Sequence, residues 1–282
     1  MRNKNISTFI GFDNEYHESK IVVFGAPFDG TTSFRPGTRF APEVMRRESY
    51  GLETYSPYLE KDLENYNVFD GGDLEFSFGN PKSTLESIYK YAEKILKDDK
   101  VPFMVGGEHL VSYGTIKAVH EKYPDLHVIH LDAHADLRDD YMGEKFSHAS
   151  VLRRCWDLLG DGKIYQFGIR SGNKEEFLWA KDHTYMEKFG IDTLAEITEK
   201  LKDVPVYITI DLDILDPSIF SGTGTPEPGG LTFTEIIKGI KEFEKLNVVG
   251  GDIVELSPNY DTSGASTATA CKVLREVILT MV

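Results

Sequence analysis

The chain has 282 residues, enough for one large domain or two small ones with a substantial core. Its 46 Asp and Glu residues outnumber its 31 Lys and Arg residues, which gives a formal net charge of −15. This balance argues against nucleic-acid binding and suits the attraction of small cations, although an acidic surface can also serve solubility alone.

Cysteine usage and hydropathy bear on the compartment. Cys155 and Cys271 are the only two cysteines, so we do not expect a disulfide framework. Residues 1–10 lack the apolar core of a signal peptide, and no apolar run approaches the roughly 20 residues that cross a bilayer. We therefore expect a cytoplasmic protein with no membrane partner.

Six short apolar runs predict β-strands, because each ends in glycine or an acidic residue and is followed by a helix-compatible segment. A helical spacing of apolar residues over 110–122 places a helix between the second and third runs. Continuous apolar strands that alternate with helices indicate an α/β fold with a parallel sheet covered on both faces. In chain order the predicted strands are 20–25, 101–107, 127–131, 163–168, 206–210 and 248–255.

The glycine-rich segments are interpreted as loops and turns. The segment SGTGTPEPGG, residues 221–230, is predicted to be a long active-site loop and not a linker. Two Gly-Gly-Asp sequences, 71–73 and 250–252, are predicted to be tight turns, because no phosphate-binding glycine motif accompanies them. With no linker, charge block or internal repeat, residues 1–282 are expected to form a single domain.

Two short groups of carboxylates are candidate metal ligands. The sequence DAHAD spans residues 132–136, and the sequence DLD spans residues 211–213 directly after a predicted strand. Alternate side chains of an extended segment share a face, so each group offers several ligands in one direction. With His109, the chain offers four carboxylates and two imidazoles, more than one divalent ion needs. Two hard ions about 3.5–4 Å apart, bridged by carboxylates, would use them all.

Four candidate residues from separate parts of the chain follow predicted strands. They are His109, Asp132, Asp211 and Glu255. Ligands of open parallel sheets bind where the strands end, so these side chains are expected to converge. Taken singly, a lone histidine is more often structural, and an aspartate after a strand is often a helix cap.

The motifs together resemble the ureohydrolase family, which includes arginases and agmatinases. The resemblance rests on GGEH at 106–109, DAHAD at 132–136, SHAS at 147–150 and DLDILDP at 211–217, and it extends to DIVELSP at 252–258. It implies a three-layer α/β/α fold with a mostly parallel central sheet. It also implies two Mn²⁺ ions per chain and a hydrolase that converts guanidino compounds to urea and an amine. Homo-trimers or homo-hexamers are the implied assemblies.

The resemblance also assigns roles to the matching positions. Asp132 and Asp211 would bridge the two ions. The first ion would be held by His109, Asp132, Asp136 and Asp211, and the second by Asp132, His134, Asp211 and Asp213. Carboxylates and imidazoles without thiolates suit manganese, whereas zinc would favour fewer ligands in a tetrahedral site.

Three further roles concern catalysis by a metal-bridging hydroxide. Asp136 could orient the hydroxide, and His148 matches the histidine that delivers a proton to the leaving amine. Glu255 matches the carboxylate that binds the substrate guanidinium. The competing interpretations are a surface histidine and a solvated glutamate.

The substrate is predicted from the loop between the DAHAD and SHAS motifs. This loop lacks the Asn and Ser/Thr residues that read the α-amino and α-carboxylate groups of arginine, and it resembles bacterial and archaeal agmatinases. Its acidic residues Asp139, Asp140 and Glu144 could meet the distal ammonium of agmatine, although Arg138 and Lys145 oppose that role. Agmatine hydrolysis to putrescine and urea, a step of polyamine biosynthesis, is the leading hypothesis. The alternatives are aminopropylagmatine, guanidinobutyrate, arginine or formimidoylglutamate as substrate, or a catalytically silent metal-binding homologue.

Overall fold

The computed structural model describes residues 7–282, and its centre is an eight-stranded sheet. Every strand pair in this sheet is parallel. A short antiparallel pair, β2 (Tyr55–Ser56) with β3 (Lys61–Asp62), lies outside it. The strands of the large sheet are β1 (Ile21–Ala26), β4 (Val68–Asp73), β5 (Val101–Gly106), β6 (His127–Leu131), β7 (Ile164–Ile169), β8 (Tyr185–Lys188), β9 (Pro205–Asp211) and β10 (Asn247–Val254).

Eight α-helices cover the two faces of the sheet in the described part of the chain. They are α1 (Ala41–Ser49), α2 (Pro81–Lys97), α3 (Ser112–Lys122), α4 (Val151–Leu159), α5 (Lys174–His183), α6 (Leu194–Leu201), α7 (Phe233–Lys241) and α8 (Ala265–Thr280). Successive strand side chains point to opposite faces, as Val22 and Val23 show: Val23 packs in the core with α1, α6, α7 and α8, and Val22 packs in the core with α2. Helices α3, α4 and α5 contribute to a third core group with strand residues such as Val128 and Tyr207. The fold is therefore a three-layer α/β/α sandwich, as predicted.

The strand order is β4-β1-β5-β10-β9-β6-β7-β8. The four strands that precede the candidate residues, β5, β10, β9 and β6, are therefore adjacent in the middle of the sheet. Parallel strands end at one edge, so their following loops are brought together there. The strand order therefore places the candidate site at this edge, in the middle of the sheet.

The predicted strands agree with six observed ones to within about one residue, but two strands of the large sheet and the short β2–β3 pair were not predicted. The two missed strands of the large sheet are β4 and β8, which lie at its two edges. The prediction of tight turns at 71–73 and 250–252 was wrong, because these residues belong to β4 and β10. Their glycines allow close packing instead: a Cβ on Gly251 would lie 2.8 Å from the Phe103 ring.

The described residues also bear on the membrane expectation. Among residues 7–282, no helix combines the length and apolar character that a bilayer span needs. Residues 1–6, which formed part of the signal-peptide prediction, lie outside the described residues.

Candidate metal centre and active site

The side chain of His109 is the centre of the first group of candidate ligands. It follows β5 in a short 3₁₀ turn and is buried. Its Nδ1 atom lies 3.1 Å from a carboxylate oxygen of Asp132, 3.1 Å from one of Asp136 and 3.4 Å from one of Asp211. Three separate sequence motifs thus meet around one imidazole nitrogen.

A second group forms around His134. Its Nδ1 atom lies 3.0 Å from Asp213 Oδ2 and 3.5 Å from Asp132 Oδ1. Asp132 contributes Oδ2 to the first group and Oδ1 to the second, so its carboxylate joins the two groups. Asp211 lies on the His109 side, and its Oδ1 accepts a hydrogen bond of 2.9 Å from the backbone N–H of Asp213.

Local backbone geometry fixes these carboxylates. The His134 N–H donates to Asp132 Oδ1 at 2.6 Å, and the Ala133 N–H donates to Asp213 Oδ1 at 3.2 Å. Asp136 and Glu255 adopt left-handed backbone conformations, with φ of 54° and 66°. Such conformations cost energy for residues with a side chain and occur often at functional sites.

A buried chain of hydrogen bonds sets the tautomer of His109. The hydroxyl groups of Tyr207 and Thr209 donate to the Asp252 carboxylate at 2.5 and 2.6 Å. Because the Thr209 proton is used in that bond, the 2.9 Å contact between Thr209 and His109 requires His109 Nε2 to be the donor. Nδ1 is then left to face the carboxylates, and it is buried without a hydrogen bond of good geometry.

His130 belongs to the same cluster and was not predicted from the sequence. The side-chain N–H₂ of Gln166 donates to the Ala135 carbonyl at 2.8 Å and contacts His130 Nδ1 at 3.1 Å. His130 Nδ1 is therefore an acceptor, and Nε2–H donates to Asp132 Oδ2 at 2.7 Å. His130 orients a ligand and is not itself free to bind an ion. Its position two residues before Asp132, on the same strand face, is the signal that could have revealed it.

The buried carboxylates of this cluster would be stabilised in their ionised form by added positive charge. Burial, and then the Asp132 carboxylate, raise the pKa of Asp136 to about 7. Burial and the Asp213 carboxylate raise the pKa of Asp211 well above its ordinary value. Carboxylates this close keep their charge only when cations lie between them. The orphaned His109 Nδ1 and the oxygen-rich donor set therefore fit hard or borderline divalent ions.

A cavity of about 250 Å³ leads to the cluster and is lined by Glu255 and His148 among others. Glu255 Oε1 accepts a hydrogen bond of 2.7 Å from the His109 backbone N–H. His148 Nε2 lies 3.1 Å from Ser33 Oγ, and its backbone N–H donates to Thr31 Oγ1 at 3.2 Å. The N-terminal segment that contains Thr31 and Ser33 thus holds His148 at the cavity wall, a role that the motifs alone did not indicate.

Comparison with known proteins identifies the family to which this chain belongs. A profile of the arginase family matches residues 19–280. The chain is 47% identical to an agmatinase of Bacillus subtilis over 275 residues, 96% of this chain and 95% of the relative. This chain belongs to the arginase family.

Two further members of the arginase family show how far the likeness extends. The crystal structure of agmatine ureohydrolase of Thermoplasma volcanium matches with a TM-score of 0.89 and 35% identity, over 98% of this chain and 94% of that one. An N(1)-aminopropylagmatine ureohydrolase of Thermococcus kodakarensis is 35% identical over 92% of this chain and 90% of the relative. The substrates that name these two relatives, agmatine and N(1)-aminopropylagmatine, share the guanidinium end and differ at the other end.

The loop carboxylates that were predicted to meet the substrate lie outside the lining of this cavity. Asp139 does not line the cavity; it is exposed and pairs with Arg154 Nη2 at 2.9 Å. Asp140 does not line it either; its carboxylate accepts a hydrogen bond of 3.2 Å from the Gly143 N–H. Glu144 is exposed and lines a neighbouring cavity. Local turn contacts and a surface ion pair hold these carboxylates away from the metal cluster.

Proposed function

We propose that this chain hydrolyses agmatine to putrescine and urea. The observation that carries the proposal is the meeting of all six candidate ligands with Glu255 and His148 at one cavity, in a chain that is 47% identical to an agmatinase over nearly its whole length. A catalytically silent homologue would be expected to lack a ligand or the histidine, and this chain lacks neither.

The ligand assignment is part of this proposal. One ion would be held by His109, Asp132, Asp136 and Asp211, and the other by Asp132, His134, Asp211 and Asp213, with Mn²⁺ as the preferred metal. Two bound ions would neutralise the carboxylates and supply a nucleophilic hydroxide at neutral pH. Asp136 would accept a hydrogen bond that orients this nucleophile toward the substrate.

Glu255 would bind the substrate guanidinium. Burial, and then the neighbouring Glu108 carboxyl, raise the pKa of Glu255 well above its ordinary value. A guanidinium at the cavity would stabilise the ionised carboxylate and could donate two hydrogen bonds to it. Because the His109 N–H fixes one Glu255 oxygen, the guanidinium carbon would be held in a defined position next to the metal cluster.

His148 would move a proton to the leaving amine. Burial lowers the pKa of His148 to about 4, so the imidazole is neutral before the reaction. It must therefore accept the proton of the attacking water before it donates one to the amine. Its Nδ1 atom is buried and makes no hydrogen bond within the described residues, so no protein group competes for a proton there.

A second candidate substrate is a guanidino acid such as 4-guanidinobutyrate. Arg138 lines the cavity, and a cation there favours a carboxylate at the end of the substrate. The Arg138 Nε atom lies 3.6 Å from Glu176 Oε2, however, so part of this charge is already matched inside the protein.

Urea release from a panel of guanidino compounds tests the proposal. With added Mn²⁺ we expect kcat/KM for agmatine to exceed that for arginine by roughly a hundredfold, because arginine carries an additional carboxylate into acidic surroundings. Glu255→Gln should lower both values by a similar factor. Comparable wild-type values for agmatine and arginine would contradict the proposal, and metal binding without urea release would favour the silent homologue.

The remaining parts of the proposal rest on resemblance and on the sequence. They are a single domain over residues 1–282, a homo-trimer or homo-hexamer, and a cytoplasmic location. Size-exclusion chromatography with light scattering would measure the assembly.

A further inference from the structure

One residue of the GGEH motif, Glu108, has no role in the proposed reaction. Its carboxylate is fully buried and faces the segment that follows β1. Thr31 donates to it twice, from the hydroxyl to Oε1 at 2.6 Å and from the backbone N–H to Oε2 at 3.0 Å. The Thr32 hydroxyl donates to Oε2 at 2.9 Å. Three hydrogen bonds from two consecutive residues fix this segment relative to the carboxylate.

The backbone of the GGEH motif holds the same segment. The Glu108 N–H donates to the Phe28 carbonyl at 2.8 Å. Gly107 permits this close approach, because a Cβ at that position would lie 1.8 Å from the Phe28 carbonyl oxygen. The segment 28–32 is therefore attached to residues 107–108 by their backbone and by the Glu108 side chain.

The Thr31 hydroxyl connects Glu108 to His148. It donates its proton to Glu108, and its oxygen accepts a hydrogen bond of 3.2 Å from the His148 backbone N–H. His148 is the first residue of a 3₁₀ turn, where backbone N–H groups lack partners within the turn. The Ser33 Oγ atom, two residues after Thr31, lies 3.1 Å from His148 Nε2. A displacement of the Glu108 carboxylate would therefore displace the start of this turn and its histidine.

Glu255 is bound to the peptide groups on either side of Glu108. Its backbone N–H donates to the Gly107 carbonyl at 2.9 Å, and its Oε1 accepts from the His109 N–H at 2.7 Å. The segment 107–109 thus anchors the carboxylate that would bind the guanidinium. Through the Glu108 side chain and Thr31, the same segment anchors the histidine that would protonate the leaving amine.

We propose that Glu108 is the positioning residue that sets the spacing between Glu255 and His148. The leaving nitrogen is bonded to the guanidinium carbon, so its proton donor must lie at a fixed distance from the group that binds the guanidinium. Glu108 links the two groups by the backbone on one side and by the Thr31 hydroxyl on the other. This inference rests on the proposed function, in which both groups act on one guanidino substrate.

The test compares two neighbouring substitutions in the manganese-loaded enzyme, Thr31→Val and Thr32→Val. Each removes a hydroxyl that donates to Glu108, but only the Thr31 hydroxyl also contacts His148. We expect Thr31→Val to lower kcat for agmatine about tenfold and to change KM less than about twofold, because the contacts of Glu255 are kept. Thr32→Val should change kcat less than about twofold. Thr31→Ser restores the hydroxyl and should recover most of kcat.

Further measurements show whether the effect passes through Glu108 and His148. Proton transfer would limit the rate more strongly in Thr31→Val, so the solvent deuterium isotope effect on kcat should rise in this variant and not in Thr32→Val. In a His148→Asn background, Thr31→Val should cause no further loss. A folded Glu108→Ala variant should lose at least as much kcat as Thr31→Val, and the threonine pair tests the link in a protein that keeps Glu108. Elemental analysis should find equal metal content in the two valine variants and the wild type.

The results separate the two proposals. Wild-type enzyme that releases no urea from agmatine overturns the proposed function. Wild-type hydrolysis of agmatine with an unchanged kcat in Thr31→Val overturns the role of Glu108 alone. Equal losses in the two valine variants also overturn it, because they would come from a loosened segment and not from His148. A loss of metal in Thr31→Val, or a further loss of kcat in the His148→Asn background, has the same consequence.

Discussion

Two of the buried charge clusters in residues 7–282 differ in whether an arginine of the chain itself balances their carboxylates. Beside the edge strand β4, the Arg46 guanidinium is 4% exposed and makes two hydrogen bonds to Asp70, of 2.7 and 3.0 Å, and one to Asp73. Asp70 also accepts from the backbone N–H groups of Phe9 and Gly72. Every buried charge here has a partner of opposite sign, so the cluster is a structural one.

The candidate metal centre is built from the same kinds of carboxylate but has no arginine or lysine. His109 and His134 face Asp132, Asp136, Asp211 and Asp213, and burial together with mutual repulsion raises the pKa of Asp136 to about 7. The difference between the clusters shows what a binding site requires. A buried cluster whose charge is incomplete without an external cation is poised to bind one, at the expense of stability in its absence.

The largest effect is expected from removing the carboxylate that the two ligand groups of the candidate metal centre share. We expect Asp132→Ala to lose both ions and to lower urea release on the order of a thousandfold or more, because Asp132 contributes an oxygen to each ligand group. Elemental analysis gives the metal content, and circular dichroism controls for folding. A folded variant that keeps two ions would refute the bridging role.

Removing the arginine from the balanced cluster should lower the stability of the protein and leave its metal content unchanged. Arg46→Met leaves the carboxylates of Asp70 and Asp73 without their cation, so we expect the free energy of unfolding to fall by about 3–5 kcal/mol. Urea denaturation measures this loss. Metal content per folded chain should be unchanged, and a loss below about 1 kcal/mol would show that the pair is not structural.

A smaller effect is expected from the residues that orient the ligands. Gln166→Leu removes the donor that fixes the tautomer of His130, which in turn orients the Asp132 carboxylate. Metal affinity should fall by about 10- to 100-fold. Competition with a fluorescent chelator measures the affinity, with Glu196→Gln as the matched surface control. Equal metal affinities in the variant and the wild type would show that His130 does not orient a metal ligand.

The smallest effect concerns pH. In the metal-free protein the pKa of Asp136 is raised to about 7, so this carboxyl holds a proton below that pH. An arriving cation must displace the proton. The pKa values of Asp211, His109 and His134 are raised as well, so metal affinity should fall by at least about tenfold for each pH unit below 7. Titration calorimetry between pH 5.5 and 8.5 tests this trend, and an affinity independent of pH would contradict it.

The fold class and the metal cluster were predictable because their signals are local. An apolar strand that ends in an aspartate or histidine can be recognised from a few consecutive residues, as at Asp132 and Asp211. The edge strands β4 and β8 were missed for a physical reason. Two of the six residues of β4 are glycines, and β8 has no buried residue, so neither shows a continuous apolar run.

Loops were predicted less well, because the placement of their side chains depends on distant partners. From sequence, Asp139 and Asp140 were predicted to meet the ammonium of the substrate. Arg154 pairs with the exposed Asp139, whereas the Leu137 N–H and Arg138 contact Glu176 at the cavity. None of these partners is within ten residues of the carboxylate it controls.

The sequence predicted a set of carboxylates and imidazoles that could bind ions and the edge of the sheet where they lie, because strand direction and side-chain alternation are properties of short segments. The proton positions on His109 and His130 could be assigned only from the assembled fold. Those depend on Thr209, Asp252 and Gln166, which reach them from neighbouring strands. A hydrogen bond between strands far apart in the chain exists only when the sheet has assembled in its particular order, and no short segment carries that order.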